Sequence, residues 1–398
     1  MGRPLELKRE LKRELKGNWS YPTSIRFGAG RIRELPDACR YLGMRRPLLV
    51  TDTALAKLPM VSDSAGACVA AGLGCEVFSD LQANPIEENV TRGVEAFRKG
   101  RHDGVIAFGG GSALDTGKAV ALMVGQTRPL FDFEDREDWY TRVDVGGVAA
   151  VVAVPTTAGT GSEVGRASVI TDLTDNTKKI IFHPRMLPAI VIEDPELTLG
   201  LPPHVTAATG MDALSHSIEA FCSPLYHPLA EGIAAEGMRL ISEWLPVAVT
   251  DGGNLEARSH MLIASMMGAT AFQKGLGAMH SLSHPCGAHL NTHHGLTNAV
   301  VMPYVLVWNE SAIEHKMVRL AAFLGLGNHS FDGVLEWVLE LRRRIGIPHT
   351  LAELGVRTEH AASMAPQALA DPSTGTNPLP MSERDFEQLY RNCIDGKL

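Results

Sequence analysis

Cysteine is scarce and unpatterned in this chain. Six thiols, Cys39, Cys68, Cys75, Cys222, Cys286 and Cys393, are scattered over 398 residues, and no two form a Cys-x-x-Cys pair. That argues against a disulfide framework and reads as free thiols in a reducing, cytoplasmic compartment. Basic charge is not in excess either: 37 Lys and Arg face 45 Asp and Glu, a net charge of −8. Nothing draws the whole chain toward nucleic acid or an anionic membrane, and neither is expected as a partner. Long apolar runs are missing. The most apolar stretch, 145–155, is about half a membrane span and contains Gly146 and Gly147, so a buried strand is the better reading. No apolar stretch follows the charged N-terminus, and no secretory signal is expected. What remains, 45% hydrophobic and 21% charged, suits a soluble globular protein, and the length suits two domains. Histidine, by contrast, is concentrated: of 15, five (His280, His284, His289, His293 and His294) fall between 280 and 294.

Residues 5–16 read LELKRELKRELK. Leu7, Leu11 and Leu15 share a helical face, with Glu6/Arg9 and Glu10/Arg13 paired at i,i+3. A solvated helical extension over 1–17 is expected. From 18 to 200 the pattern alternates. Short apolar or β-branched runs at 47–51, 104–108, 149–154 and 189–192 are separated by helix-like segments such as 85–99 and 113–124. Strands alternating with helices predict a parallel sheet, with ligands at the strands' C-terminal ends. From 201 to 398 helical patterns dominate, at 205–221, 228–247, 255–274, 283–290, 313–324 and 331–345, while 298–305 is ambiguous. Leu201-Pro202-Pro203 marks the boundary, because paired prolines interrupt both helix and strand. The expected architecture is an α/β N-terminal domain followed by an all-helical C-terminal one, with the ligand in the cleft between them.

Four constellations carry chemistry. Phe108-Gly109-Gly110-Gly111-Ser112-Ala113-Leu114-Asp115-Thr116-Gly117-Lys118 joins a predicted strand to a predicted helix, where backbone N–H groups and the helix dipole can hold a phosphate. It is neither a Walker A loop, since Ala119 stands where Ser or Thr belongs, nor GxGxxG, since Leu114 takes the third glycine's place. Pro155-Thr156-Thr157-Ala158-Gly159-Thr160-Gly161-Ser162-Glu163 follows another strand, and its hydroxyls suit a diphosphate or a nicotinamide amide; alone it is as readily a plain loop. Asp52, after the strand at 47–51, can accept from an adenosine ribose and would repel a 2′-phosphate, favouring NAD over NADP; as a lone residue it is more often a helix cap. Last, Asp212 and His216 stand at i,i+4 on one helical segment, His280 and His284 repeat the spacing on another, and His294 follows. One histidine is usually a satisfied core or surface group. Two helical pairs and a third segment can hold a divalent transition metal such as Zn²⁺ or Fe²⁺.

Together these motifs resemble the iron-containing (group III) alcohol dehydrogenase family. The resemblance runs through Tyr21–Gly30, Val50-Thr51-Asp52, Asn84-Pro85, both loops and Asp194-Pro195-Glu196-Leu197-Thr198. It is closest at Thr209-Gly210-Met211-Asp212-Ala213-Leu214-Ser215-His216 and at His280-Ser281-Leu282-Ser283-His284-Pro285 with His294-Gly295, and Gly375-Thr376-Asn377-Pro378 also fits. It implies the family's dehydroquinate synthase-like fold: a dinucleotide-binding α/β domain and a helical metal-binding catalytic domain. By resemblance, Asp212, His216, His280 and His294 match the metal ligands, and His284 a proton-relay histidine. Gly110, Gly111, Ser112 and Asp115 match the pyrophosphate loop, and Asn84 a nearby cofactor contact. Thr156, Thr157 and Lys178 match positions around the diphosphate and nicotinamide ribose, and Asp52 the acid tied to NAD preference.

The implied activity is hydride transfer between NAD(H) and a primary alcohol or aldehyde, with one divalent metal, Fe²⁺ before Zn²⁺, in a homodimer or larger homo-oligomer. A glycerol-type polyol dehydrogenase and a maleylacetate reductase-like enzyme are the alternatives on the same fold; the intact ligands argue against the second. Dehydroquinate synthase is a lyase-class relative, and a non-enzymatic metal or nucleotide binder is the reading from a different class. Three features depart from the family pattern. The segment 271–277 is one residue short, Lys274 stands near the expected metal on the substrate side, and His293 replaces a common proline, leaving a second register for the last ligand.

Overall fold

A computed structural model describes residues 17–19 and 23–398; the helical extension expected before Gly17 lies outside the described residues. Nine strands are assigned among them: β1 (Gly17–Trp19), β2 (Ser24–Phe27), β3 (Pro47–Val50), β4 (Glu76–Phe78), β5 (Gly104–Gly109), β6 (Ala150–Pro155), β7 (Ala167–Asp172), β8 (Thr177–Phe182) and β9 (Ile190–Glu193). Four helices lie between them: α1 (Leu35–Tyr41), α2 (Pro59–Ala70), α3 (Glu87–Gly100) and α4 (Gly111–Met123). After β9 the chain is helical: α5 (Pro203–Cys222), α6 (Pro228–Thr250), α7 (Leu255–Ala271), α8 (Ala278–Leu290), α9 (His294–Leu324), α10 (Phe331–Arg344), α11 (Thr358–Ala370) and α12 (Glu383–Asp395). No described helix is long and apolar enough to cross a membrane.

The main sheet has the order β1-β2-β9-β6-β5-β3-β4. All its pairs are parallel except β1 with β2. Strands β3, β5 and β9 are buried at every position, as expected where helices cover both faces of a parallel sheet. The strand after β3 pairs on one of its sides and β5 on the other, so the winding direction reverses there. That reversal opens a crevice at the C-terminal ends of β3 and β5. Asp52 follows the first of these strands and Gly110–Gly111 the second. Helix α4 lies close on the sheet because Gly117 has no side chain; a Cβ there would fall 2.7 Å from that of Ala107. A separate β7–β8 hairpin leaves the sheet toward the helical part.

The run 298–305, ambiguous in sequence, is helix within α9. Its β-branched Val300, Val301 and Val305 are buried in the helical core, and packing there outweighs their strand preference. Helix α8 likewise begins earlier than its apolar pattern suggests, at Ala278, because Asn377 Oδ1 accepts the Ala278 N–H at 3.1 Å. The Gly375–Pro378 segment thus caps the helix that carries His280 and His284.

The two parts share apolar structure. Met266 and Ala269 of α7 belong to the core beneath the sheet, while Met261, Leu262 and Ala264 of the same helix belong to the helical core. The Thr157–Glu163 loop packs on α7 at Gly161, whose φ is +60° and whose Cβ would meet Ala269 Cβ at 2.2 Å and Ser265 O at 2.8 Å. Gly161→Ala should therefore lower stability by about 1–3 kcal/mol, from left-handed strain and overpacking together. Urea denaturation against the parent checks this; an unchanged midpoint would show that the loop yields freely.

Candidate active site

Helix α5 is the centre of the site. It is buried from Thr206 almost without break to Cys222, so its polar residues must find partners inside the protein. The turn spacing puts Asp212, His216 and Glu219 on one face. Helix α8 brings His280 and His284 against that face, and α9 begins at His294 beside them. Ligand atoms of Asp212, His216, His280 and His294 all lie within 4.8 Å of one another. The imidazoles of His216 and His280 stack at 4.8 Å between centroids, and those of His284 and His294 at 5.3 Å.

These surroundings favour the neutral form of two of the rings, His216 and His294. Burial, opposed by Asp212, drives His216 down to about 4. Burial and then the Lys178 ammonium hold His294 well below its ordinary value. His280 goes the other way: burial lowers it, but the Glu219 carboxylate outweighs burial and raises it. Glu219 Oε2 accepts from His280 Nδ1 at 2.6 Å, and its Oε1 accepts the Met279 N–H at 2.7 Å. Asn298 Nδ2 donates to Asp212 Oδ1 at 2.9 Å and lies 3.3 and 3.2 Å from Nε2 of His280 and His294. Three imidazoles and a carboxylate are the donor set of a divalent transition ion. The cluster fits a metal.

His284 lies beside the four but pairs outward. Its Nδ1 donates to Asp371 Oδ2 at 2.6 Å, and Asp371 Oδ1 accepts the Ser373 N–H at 2.8 Å. Burial raises the Asp371 carboxyl, yet the facing imidazole and the N–H hold it below the usual range. The remaining two histidines are accounted for. His289 Nε2 meets Gln367 at the surface, and His293 Nδ1 accepts the Leu296 N–H and caps α9. In this register His294, not His293, faces the cluster. Lys274, expected on the substrate side, turns away from it. Its Nζ is buried and donates to the carbonyls of Ala220, Phe221 and Ser223, with Glu231 at 3.1 Å.

The expected cofactor residues line the adjacent crevice. Gly110 and Gly111 open α4, and Cβ atoms on them would press on Thr157 and Thr160 of the second loop; the two loops form one surface. The Thr156 N–H donates to Gly109 O at 3.0 Å. Ser112 sits in the first turn of α4. Asp115 turns inward: its Oδ1 accepts from Ser162 Oγ, its Oδ2 accepts the Val169 N–H, and Lys118 lies at 3.3 Å. It ties both loops to β7 and leaves the crevice surface to backbone N–H groups. Asp52 Oδ1 accepts the N–H groups of Ala54 and Leu55, both at 2.9 Å, so it caps a turn. Asn84 Nδ2 donates to Asn291 Oδ1 at 2.5 Å, joining the sheet side of the cleft to the end of α8. Lys178, on β8, reaches toward Gly287 of α8; burial, opposed by Asp115 and Asp212, brings its ammonium down to about 8.

Glu219, Asn298 and Asp371 escaped the reading of the sequence. The first two carried a signal. Glu219 stands three residues after His216 and Asn298 four after His294, each on the face its histidine defines. Asp371 is 87 residues from its partner, and nothing local announces it.

Comparison with known proteins covers the sheet and the helices alike. The family model described as iron-containing alcohol dehydrogenase matches residues 22–195, and the model of that family's C-terminal part matches 206–394. The 4-hydroxybutyrate dehydrogenase of Cupriavidus necator is 38% identical over 382 residues, 94% of this chain and 99% of that protein. The NAD-dependent methanol dehydrogenase of Bacillus methanolicus is 34% identical over 384 residues, 95% of this chain and 100% of its own length. A crystal structure of a 1,3-propanediol oxidoreductase superposes with a TM-score of 0.88 at 33% identity, covering 93% of this chain and 97% of that one. With the two family models and these relatives spanning nearly the whole chain, the chain belongs to the iron-containing alcohol dehydrogenase family.

Proposed function

We propose that this oxidoreductase transfers a hydride between NAD(H) and a primary alcohol or its aldehyde, using one divalent metal held by Asp212, His216, His280 and His294. The observation that carries the proposal is the convergence of those four side chains within 4.8 Å, beside a crevice built at the switch point of the sheet. A bound metal would supply Lewis acidity toward the alcohol oxygen, and bound NAD would supply an acceptor for the hydride. Fe²⁺ suits the mixed imidazole and carboxylate set, and Zn²⁺ is compatible with it.

The protein's own part is positioning and proton handling. The N-terminus of α4, with Gly110, Gly111 and Ser112, offers unpaired N–H groups to a diphosphate. Thr156 and Thr157 face the same space from the second loop, and Asp115 holds that loop in place. Asp52 would meet the adenosine ribose and Asn84 the cofactor near the pyrophosphate loop, and Lys178 reaches from the crevice toward α8. Because Asp371 accepts from Nδ1 of His284, Nε2 is left with its lone pair. It can take the proton an alcohol releases and pass it to solvent. Six free thiols support a reducing, cytoplasmic setting. A homodimer or larger assembly is part of the same reading and rests on the family resemblance.

A panel of primary alcohols and diols, read by NADH absorbance on metal-loaded enzyme, tests the reaction; no NADH from any of them would refute it. His280→Ala should lose metal and activity together, and a metal-replete, active variant would remove His280 from the site. Asp371→Asn should keep the metal, lower kcat by roughly tenfold or more and alter its pH profile; unchanged turnover would leave His284 without a relay role. Asp52→Ser keeps a turn-capping oxygen and removes the charge. It should shift the NADP/NAD preference by on the order of tenfold, ~1.4 kcal/mol, and equal ratios would place Asp52 outside the cofactor site.

A further inference from the structure

We propose that Glu219 is a positioning residue that fixes the tautomer and rotation of His280, and through it the hold of the cluster on its metal; this rests on the reading of the cluster as a metal site. Glu219 is buried, on the face of α5 that carries Asp212 and His216. Both its oxygens are spent on α8: Oε2 on His280 Nδ1 at 2.6 Å and Oε1 on the Met279 N–H at 2.7 Å. An ionised carboxylate has no hydrogen to give, so Nδ1 must carry it and Nε2 must hold the lone pair. Nε2 is the nitrogen that faces inward, 3.3 Å from Asn298 Nδ2.

The second bond matters as much. The N–H of Met279 is one of the donors left unpaired at the start of any helix, and a carboxylate there also meets the positive end of the helix dipole. One side chain of α5 therefore fixes the first turn of α8 and the ring that turn carries. It locks together the two helices that supply three of the four ligand residues. Glutamine at 219 would offer one acceptor and one donor. It could meet the Met279 N–H or His280 Nδ1–H, but not both.

The test reads metal release, not turnover, on the full chain loaded with Co²⁺ and challenged with excess EDTA. In Glu219→Gln, release followed by Co²⁺ absorption should accelerate roughly 10- to 100-fold, and the visible spectrum of bound Co²⁺ should change. Glu219→Asp keeps both oxygens on a shorter arm and should recover part of the retention. Melting of the metal-free proteins reports the fold; should Glu219→Gln fail to fold, Glu219→Asp against the parent carries the test with the same outcomes. Release and spectra matching the parent would overturn the proposal. His280→Ala run alongside separates the two readings. If it binds Co²⁺ like the parent, the metal site and the role of Glu219 both fall. If it binds none while Glu219→Gln is unaffected, the role of Glu219 alone falls.

Discussion

A charge or an imidazole taken out of water must be paired, neutralised or given to a ligand, and the centre of this molecule is organised around that requirement. Helix α5 lies inside the protein and carries Asp212, His216 and Glu219 on one face. The two carboxylates are answered by neighbours from other helices: Asn298 for Asp212, His280 and Met279 for Glu219. The helix end obeys the same rule. Its last carbonyls meet the ammonium groups of Lys274 and Lys316, which share the Glu231 carboxylate. Lys274, out of pattern in sequence, is thus bound up with the integrity of the helix that holds the cluster.

The cofactor side follows a different logic. There, on the reading proposed above, recognition falls to the backbone, and side chains hold that backbone in place. Gly110 and Gly111 leave room for Thr157 and Thr160, Asp115 binds the second loop and β7 from beneath, and Asp52 caps the turn after β3. Carboxylates that a motif would assign to the ligand are engaged with the protein. On the proposed reading, their influence on a dinucleotide would come through the shape they impose and, for Asp52, through charge.

Much of this was legible in the residues. The alternation of apolar runs with helical segments foretold the parallel sheet, and i,i+4 spacing on α5 and α8 pointed to side chains that the fold gathers. Periodicity could also separate His294 from its neighbours only so far; the choice between His293 and His294 came from a helix cap, a feature of one hydrogen bond. Asn298–Val305 was ambiguous because β-branched residues favour strands unless a bundle buries them. Asp371 and the capping role of Asn377 depend on contacts across about a hundred positions of chain, which no local pattern encodes. The β7–β8 hairpin was likewise invisible, since polar residues such as Lys178 and Lys179 interrupt its alternation.

Helix α7 adds a mechanical consequence. Because Met266 and Ala269 sit in the core under the sheet while Met261 and Leu262 sit in the helical core, the helix acts as a dowel through both halves. Swinging the halves apart would strip apolar surface from both cores at once, at about 25 cal/mol for each Å² uncovered. At another point of the cleft the Asn84–Asn291 amide contact joins the sheet side to the end of α8. Helix α7 is thus a shared spine, and a substitution along it is felt by the sheet and the bundle together.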